Sequence, residues 1–230
     1  MKLNLKIFPF LVIIVALAIL LKLGFWQLAR QDEKLSLQAK YNANKSLIAN
    51  ESDLKFGAKD LNFKQIIIKG HWLTEKKFYL DLRKHQGKTG MQLIMPLSLA
   101  SGKELLVNRG WFRHNAADKT EPQIPSSSEL QHITGIVQLV SKNYFEIGVN
   151  TSNRKMFIDI EQLREQNKNL LPILILQTND SGDGLVRDWP KPNFKPDMHL
   201  GYAIMWFSLA FILLIIGLYI AVKREENENQ

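Results

Sequence analysis

The chain has 230 residues and no cysteine. The absence of cysteine excludes disulfide bonds, thiolate metal sites, iron–sulfur clusters and cysteine nucleophiles. A chain of this length has room for one domain of ordinary size with short additions at its ends. A multidomain enzyme and a disulfide-stapled scaffold are therefore both excluded.

The motifs that mark common enzyme classes are also missing. The sequence has no Gly-rich phosphate-binding loop, no Gly-x-Ser-x-Gly elbow and no His-Glu-x-x-His helix. The acidic stretch at residues 180–184 lacks the spacing and terminal Glu of a calcium loop and is typical of a turn. The five histidines lie far apart, so a histidine metal site would need the fold to bring them together: His71, His85, His114, His132 and His199.

The net charge of +8, from 30 Lys and Arg against 22 Asp and Glu, raises the possibility of a nucleic-acid partner. The basic residues are scattered among acidic ones, and no basic helix or ribbon stands out. We therefore predict no nucleic-acid partner. A basic surface beside anionic membrane lipid accounts for the charge equally well.

Apolar residues make up 46% of the chain, as in many soluble proteins, but they are concentrated at its two ends. Residues 7–26 form a run of about 20, the length that spans a bilayer as a helix. Lys22 lies near one end, where its amine can extend to the interface, and Trp26 suits an aromatic belt. A cleaved signal peptide is the alternative, but no small-x-small cleavage site follows the run.

A second predicted span covers residues 200–222, which carry no charge and are followed by Lys223 and Arg224. Lys2 and Lys6 precede the first span, so the positive-inside rule places both tails, residues 1–6 and 223–230, in the cytoplasm. The long segment 27–199 is then translocated. For a bacterial chain this predicts a multi-pass inner-membrane protein with a periplasmic central domain. An Arg- and Ser-rich presequence, which would indicate a mitochondrial precursor, does not precede the first span.

The segment 27–199 is predicted to begin with a membrane-proximal helix, over residues 27–46, and to continue mainly as strands. Gly87 and Gly90 flank one predicted turn, residues 101–103 form another, and residues 116–128 form a loop. A helix is predicted at residues 161–167. The predicted strands are residues 65–69, 77–83, 91–97, 104–112, 133–140, 156–160 and 173–176. The expected fold class is two transmembrane helices that flank an α+β, mostly antiparallel and barrel-like extracytoplasmic domain.

Two segments are candidates for ligand binding. Strict alternation along Asn108-Arg109-Gly110-Trp111 would put Arg109 and Trp111 on one strand face, where a flat anionic ligand could meet a guanidinium beside an indole. A packed Trp with a surface or salt-bridged Arg is the alternative. At the start of the second span, His199, Tyr202 and Trp206 recur along one helix face.

A neutral imidazole is the commonest protein ligand for haem iron, and the two aromatic side chains beside His199 would suit a flat porphyrin. An interfacial His among belt aromatics is the alternative. Arg30, at the outer end of the first span, is likewise either a partner for an anionic group or an ordinary interfacial Arg.

Five motifs in order resemble the Surfeit-locus family of cytochrome c oxidase assembly factors, and the match covers essentially the whole chain. They are Gly24-x-Trp26-Gln27-x-x-Arg30 with Lys34, a strand that ends in Gly70, Gly87-x-x-Gly90 with Pro96-Leu97, Leu106-Val107-Asn108-Arg109-Gly110-Trp111, and His199-Leu200-Gly201-Tyr202-Ala203-x-x-Trp206-Phe207. The chain departs from the family pattern at Met91, at Asp197-Met198 and at Phe112-Arg113-His114. These departures concern loop surfaces and partner docking.

The resemblance implies a protein that is not an enzyme and that assists haem a delivery to, or stabilisation in, subunit I of a haem–copper oxidase. The implied partners are oxidase subunit I and haem a synthase, and the implied axial ligand of the haem iron is His199. Arg109 or Arg30 would pair with the propionates. The alternative is a cofactor-free membrane scaffold that holds a subunit I intermediate, with His199 merely interfacial.

Overall fold

A computed structural model describes residues 8–55, 58–114, 128–140 and 153–228 of the chain. The chain divides into two compact units. One consists of its two ends, residues 1–39 and 192–230, and the other consists of residues 40–191.

The terminal unit contains two long helices, α1 (Phe8–Asn44) and α3 (Pro196–Glu228). Each is long and apolar enough to span a bilayer, and most side chains in the apolar part of each are exposed rather than packed inside the protein. Such exposure favours a lipid environment over the core of a soluble protein. Both predicted spans are therefore helical, and α1 continues without a break into the predicted membrane-proximal helix.

Small residues let α1 and α3 approach each other closely. A Cβ atom added at Gly24 would lie 2.6 Å from the Phe207 ring, so only glycine leaves room for that ring. Phe25 packs edge-on against the same ring at 5.3 Å between centroids. Further along, a Cβ atom at Gly217 would lie 3.3 Å from Ile13. Membrane helices commonly pack through such small residues, because lipid supplies no hydrophobic drive for their association.

The central unit is built on a closed five-stranded barrel. Its sheet contains eight strands among the described residues: β1 (Ile48–Asn50), β2 (Gln65–Trp72), β3 (Phe78–His85), β4 (Lys88–Leu99), β5 (Glu104–Arg113), β6 (Gln131–Leu139), β7 (Arg154–Lys155) and β8 (Leu170–Gln177). The barrel order is β2, β6, β8, β5 and β4, and β4 pairs again with β2 to close the ring. Within the ring only β5 and β8 are parallel.

The length of β4 makes this closure possible. Its twelve residues pair with β3 near the start and with β2 at the end, where Trp72 lies opposite Leu97. Strand β2 alternates exposed and buried residues along its whole length, as a strand with one face toward a core must. Ile66 and Ile68 on its inner face are fully buried in the main apolar cluster, together with Leu93.

Most predicted elements are confirmed, with two corrections. The predicted strand at residues 156–160 is wrong, because β7 ends at Lys155 and Ile160 already begins helix α2 (Ile160–Gln166). Asp159 caps that helix by accepting the Gln162 backbone N–H at 3.0 Å, which favours a helix start over an extended chain. Gly90 lies inside β4 rather than at the end of a turn. The predicted loop at 116–128 lies almost wholly outside the described residues.

Two irregularities interrupt the ladder on either side of Gln92. The β3–β4 register shifts between Leu80 and Arg83, where Leu82 has φ of 53°. The β4–β5 register shifts between Leu93 and Ile94, opposite Gly110, which has φ of 142°. Such bulges turn the following side chains in a new direction.

Gly135 offers a direct test of the barrel packing. A Cβ atom there would lie 2.4 Å from the Ile175 side chain and 2.6 Å from the Leu176 carbonyl oxygen. We expect Gly135→Ala to lower the free energy of unfolding by about 1–3 kcal/mol, as overpacking does. Chemical unfolding of the detergent-solubilised chain, followed by tryptophan fluorescence, measures this. His132→Ala, on the same strand but exposed, is the control; equal stability of the two variants would contradict the packing described here.

Candidate functional site

A hydrogen bond between the two terminal helices defines the first candidate site. His199 lies in the first turn of α3 and Gln27 lies in α1. The Nδ1–H of His199 donates to the side-chain Oε1 of Gln27 at 2.8 Å. Gln27 is 9% exposed, so this amide is held in a largely buried position.

This bond determines which imidazole nitrogen is available. An amide oxygen can only accept, so Nδ1 carries the hydrogen and Nε2 of the neutral ring keeps a free lone pair. No hydrogen-bond partner of Nε2 is present among the described residues. Metal-bound histidines in proteins usually donate their second ring N–H in this way, which orients the ring and raises its basicity. His199 therefore presents one ring nitrogen, Nε2, that is available to a ligand or a metal ion.

The predicted aromatic neighbours of His199 lie on the same helix with different exposures. Tyr202 is 46% exposed, whereas Trp206 is half-buried. Ala203, one turn after His199, is buried. The structure thus brings together an imidazole, a small residue and two aromatic rings along one side of α3. The roles of Tyr202 and Trp206 in holding a ligand stay predictions.

Arg30 follows Gln27 by about one helical turn of α1. Its guanidinium pairs with the Glu33 carboxylate on the same helix, and both side chains are exposed. An exposed pair of this kind contributes little to stability, so Arg30 can exchange Glu33 for another anionic partner at small cost.

Gln27 is the residue of this site that the sequence did not identify. It stands within the Gly24-x-Trp26-Gln27 motif, but nothing in the sequence shows that its amide meets a residue 172 positions away. The one available signal was a polar residue directly beside two aromatic ones at the end of an apolar run. Such a side chain must find a partner or reach water.

Arg109 belongs to a buried ionic cluster. Its guanidinium pairs with Asp183 at 2.7 Å, and the two side chains are 3% and 1% exposed. It also lies over the Trp72 ring, 5.0 Å from the centroid. Arg187 forms a second pair with the same carboxylate at 2.6 Å. The alternative of a salt-bridged Arg is thus what the structure shows.

The predicted shared face of Arg109 and Trp111 is wrong. The bulge at Gly110 breaks the strand alternation, so Phe112 rather than Trp111 packs against the main apolar cluster that Arg109 contacts. Trp111 instead donates its Nε1–H to the Arg83 carbonyl at 2.8 Å and lies beside the His85 ring at 5.1 Å. Arg109 and Trp111 therefore do not form the predicted pair of guanidinium and indole on one surface; the indole beside Arg109 is that of Trp72. Any role of either residue toward a ligand stays a prediction.

The cluster perturbs the ionisation of its members. Burial alone would raise the pKa of Asp183, but hydrogen bonds from Arg187, from the Leu185 backbone N–H and from Arg109 outweigh burial and lower it. Burial lowers the pKa of Arg109, and the hydrogen bond and charge of Asp183 oppose that change. Because the carboxylate is favoured in the folded state, Asp183 stabilises the domain at neutral pH.

Within the described residues, no group of three or more His, Asp or Glu side chains is placed to hold a metal ion. The convergence of histidines that a metal centre would need is thus not seen in that part of the chain. A site built from one imidazole is what the described residues offer.

The fold and this site define a class of protein: a β-barrel domain that lies in the chain between two apolar helices long enough to span a membrane. Comparison with known sequences gives the family. The model of the SURF1 family matches residues 14–211. A SURF1-like protein of Rickettsia felis is 29% identical over 227 residues, covering 93% of this chain and 96% of that protein.

A SURF1-like protein of Dictyostelium discoideum is 31% identical over 245 residues, with 84% of this chain and 89% of that protein covered. The chain belongs to the SURF1 family. The family is known generally as one of cytochrome oxidase assembly factors.

The ionic cluster predicts a pH dependence. The lowered pKa of Asp183 adds stability above its unfolded pKa of about 3.9, and this is lost as the pH falls through the lower folded value. At pH 7, Asp183→Asn should lower the free energy of unfolding by about 3–5 kcal/mol, because it removes the buried carboxylate that pairs with both Arg109 and Arg187.

Unfolding measured at pH 7, 5 and 3 should show the difference between wild type and Asp183→Asn shrink only at the lowest pH. Asp188→Asn, an exposed acid nearby, is the matched control and should stay within about 0.5 kcal/mol of wild type. A constant difference down to pH 3 would show that the charge of Asp183 is not the stabilising feature.

Proposed function

We propose that this protein is a non-enzymatic assembly factor that assists the delivery of haem a to subunit I of cytochrome c oxidase, or its stabilisation there. Haem a is its cargo, received from haem a synthase, and His199 is the ligand of the haem iron. Membership of the SURF1 family supports the assembly role. The hydrogen bond of His199 to Gln27 carries the assignment of the ligand.

The residues of the site fit a haem cargo. The chemistry that the cargo needs from the protein is one neutral nitrogen donor, which Nε2 of His199 supplies. One protein ligand also leaves the cargo able to depart, whereas a closed two-ligand site would retain it. Tyr202 and Trp206 offer aromatic surface beside the imidazole. The exposed apolar side chains of α3 suit the long apolar tail of haem a in lipid.

An interfacial cation completes the proposal. Haem carries two propionates, which pair well with guanidinium groups. Arg30 is exposed and its present partner is the exposed Glu33. Arg109 and Trp111 are left out of the proposed site, because their side chains are buried and bonded within the central domain.

The proposed location is the bacterial inner membrane, with both termini in the cytoplasm and the barrel domain in the periplasm. The two apolar helices support a membrane protein. Lys6, before the first apolar run, and Lys223, after the second, lie on the sides of the two chain ends and support this orientation.

The decisive experiment is to purify the full chain in detergent from cells that make haem a and to record its visible spectrum. We expect haem a in the wild type and almost none in His199→Ala. His132→Ala, an exposed histidine of the barrel, should keep the wild-type amount.

If His199→Ala retains as much haem with unchanged bands, the ligand assignment is wrong. Co-purification of subunit I with no haem in any sample would support the cofactor-free scaffold instead.

Gln27 gives a finer prediction about the same site. Loss of a hydrogen-bond partner of a metal-bound histidine typically costs about 10–100-fold in affinity. We expect Gln27→Leu to weaken haem binding by that factor, measured by titration of haem into the purified apoprotein. Gln27→Glu keeps an acceptor at the same place and should bind at least as well as wild type. Gln38→Leu, an exposed glutamine of α1, is the control; if it weakens binding as much as Gln27→Leu, the orienting role of Gln27 is wrong.

A further inference from the structure

A cleft of about 360 Å³ lies in the central domain, against the wall formed by β3, β4, β5, β6 and β8. Its volume falls within the range of about 300–1,000 Å³ of small-molecule sites in proteins. It plays no part in the function proposed above, since all its lining residues belong to the central unit.

The two bulges on either side of Gln92 lie beside this cleft. One bulge, at Leu82 of β3, comes directly before Arg83, which lines the cleft. The other, at Gly110 of β5, comes two residues after Asn108, which also lines it. Between them Gln92 of β4 also lines the cleft. A non-glycine residue at positive φ stores strain, and proteins keep such strain mainly at functional sites. The two bulges thus concentrate three polar side chains at one edge of the cleft.

A chain of hydrogen bonds orients these side chains so that donors remain. The buried Asn108 accepts the Gly110 backbone N–H through Oδ1 at 3.2 Å, which turns its Nδ2–H toward Gln92 Oε1 at 3.0 Å. Because the Gln92 oxygen is occupied, its Nε2–H₂ group remains as a donor with no acceptor among the described residues. Arg83 uses Nη2 to donate to the Met156 carbonyl at 2.6 Å and keeps further N–H groups.

Apart from Gln138, the rest of the lining consists of apolar and aromatic residues. These include Leu139, Val140, Phe157, Leu174, Leu176 and Pro190. The described lining contains no Asp or Glu, so nothing there neutralises Arg83. Arg109, by contrast, is neutralised by Asp183.

We propose that this cleft binds an amphipathic carboxylate, with the carboxylate on Arg83 and Gln92 and an apolar body against the aliphatic wall. Arg83 and Gln92 present donors, so a ligand group that meets them must bring acceptors, and a carboxylate matches the planar fork of a guanidinium with two parallel hydrogen bonds. A neutral apolar molecule would leave the cation and the amide donors without partners in the cleft, which is costly.

Photolabelling of the full chain in lipid nanodiscs tests this. The probe is octanoate with a diazirine near its methyl end, and the matched probe without a carboxylate is the corresponding octanol. Mass spectrometry of the digested protein should place the acid label on the peptides that contain Leu139 or Leu174. Arg83→Gln should reduce this labelling about tenfold, because it removes one charge-assisted hydrogen-bonded pair.

Gln92→Met provides a second variant that removes a donor without touching the charge, and it should also reduce labelling. Lys84→Gln, the next residue of β3 and exposed, is the control cation and should label as wild type. The thermal unfolding of every variant confirms that the domain is folded. Equal labelling by the acid and alcohol probes, or full labelling of folded Arg83→Gln, would overturn the proposal.

Competition identifies the source of the carboxylate. Unlabelled octanoate should abolish the label in all cases if the site is real. If protoporphyrin IX also competes, the physiological carboxylate is a porphyrin propionate; if only octanoate and longer fatty acids compete, it is a lipid acid. Failure of both competitors would contradict the proposal. None of these outcomes depends on His199, so they leave the haem assignment to its own test.

Discussion

The barrel depends on the two pairings of β5 as much as on the β4–β2 contact that closes it. Strand β5 pairs antiparallel with β4 on one side and parallel with β8 on the other, and the β8 pairing supplies the one parallel contact in the ring. Leu106 and Val107 in its middle are fully or almost fully buried. A strand with neighbours on both edges and apolar packing around it tolerates few irregularities. The bulge at Gly110 is therefore a feature that the rest of the domain accommodates at some cost.

That bulge explains why the side chains of Arg109 and Trp111 lie on opposite faces of the strand. Against β4 the pairing of β5 is regular from Glu104 to Asn108, and Arg109 lies on the side of the main core. A charged group there is stable only with a partner, and Asp183 provides it at 2.7 Å. The carboxylate comes from the turn after β8, 74 residues later in the chain, and Arg187 in the same segment shares it. The ion pair thus connects the segment after β8 to β5.

In the terminal unit, too, two polar residues far apart in the chain are paired with each other. Gly24 leaves room for Phe207, and this close approach of two helices lets Gln27 reach His199. A buried amide and an imidazole both need hydrogen-bond partners in an apolar setting, and each satisfies the other. The result is a histidine whose free nitrogen is determined by a neighbour on another helix. This arrangement is the basis of the proposed haem ligand.

Much of this architecture follows from the sequence alone. The two apolar runs, the polar continuation of α1 and the strands over β2, β4, β5 and β8 are visible in hydrophobic periodicity, because burial of one face or of a whole segment leaves that pattern. His199 stands out because it is a titratable residue at the edge of a span. What only the tertiary structure decided are pairings between residues distant in the chain: Gln27 with His199, and Arg109 with Asp183. A prediction from strand periodicity also assumes regular strand geometry. One extra residue in a strand moves every later side chain to the opposite face, so the bulge at Gly110 reversed the expected face of Trp111.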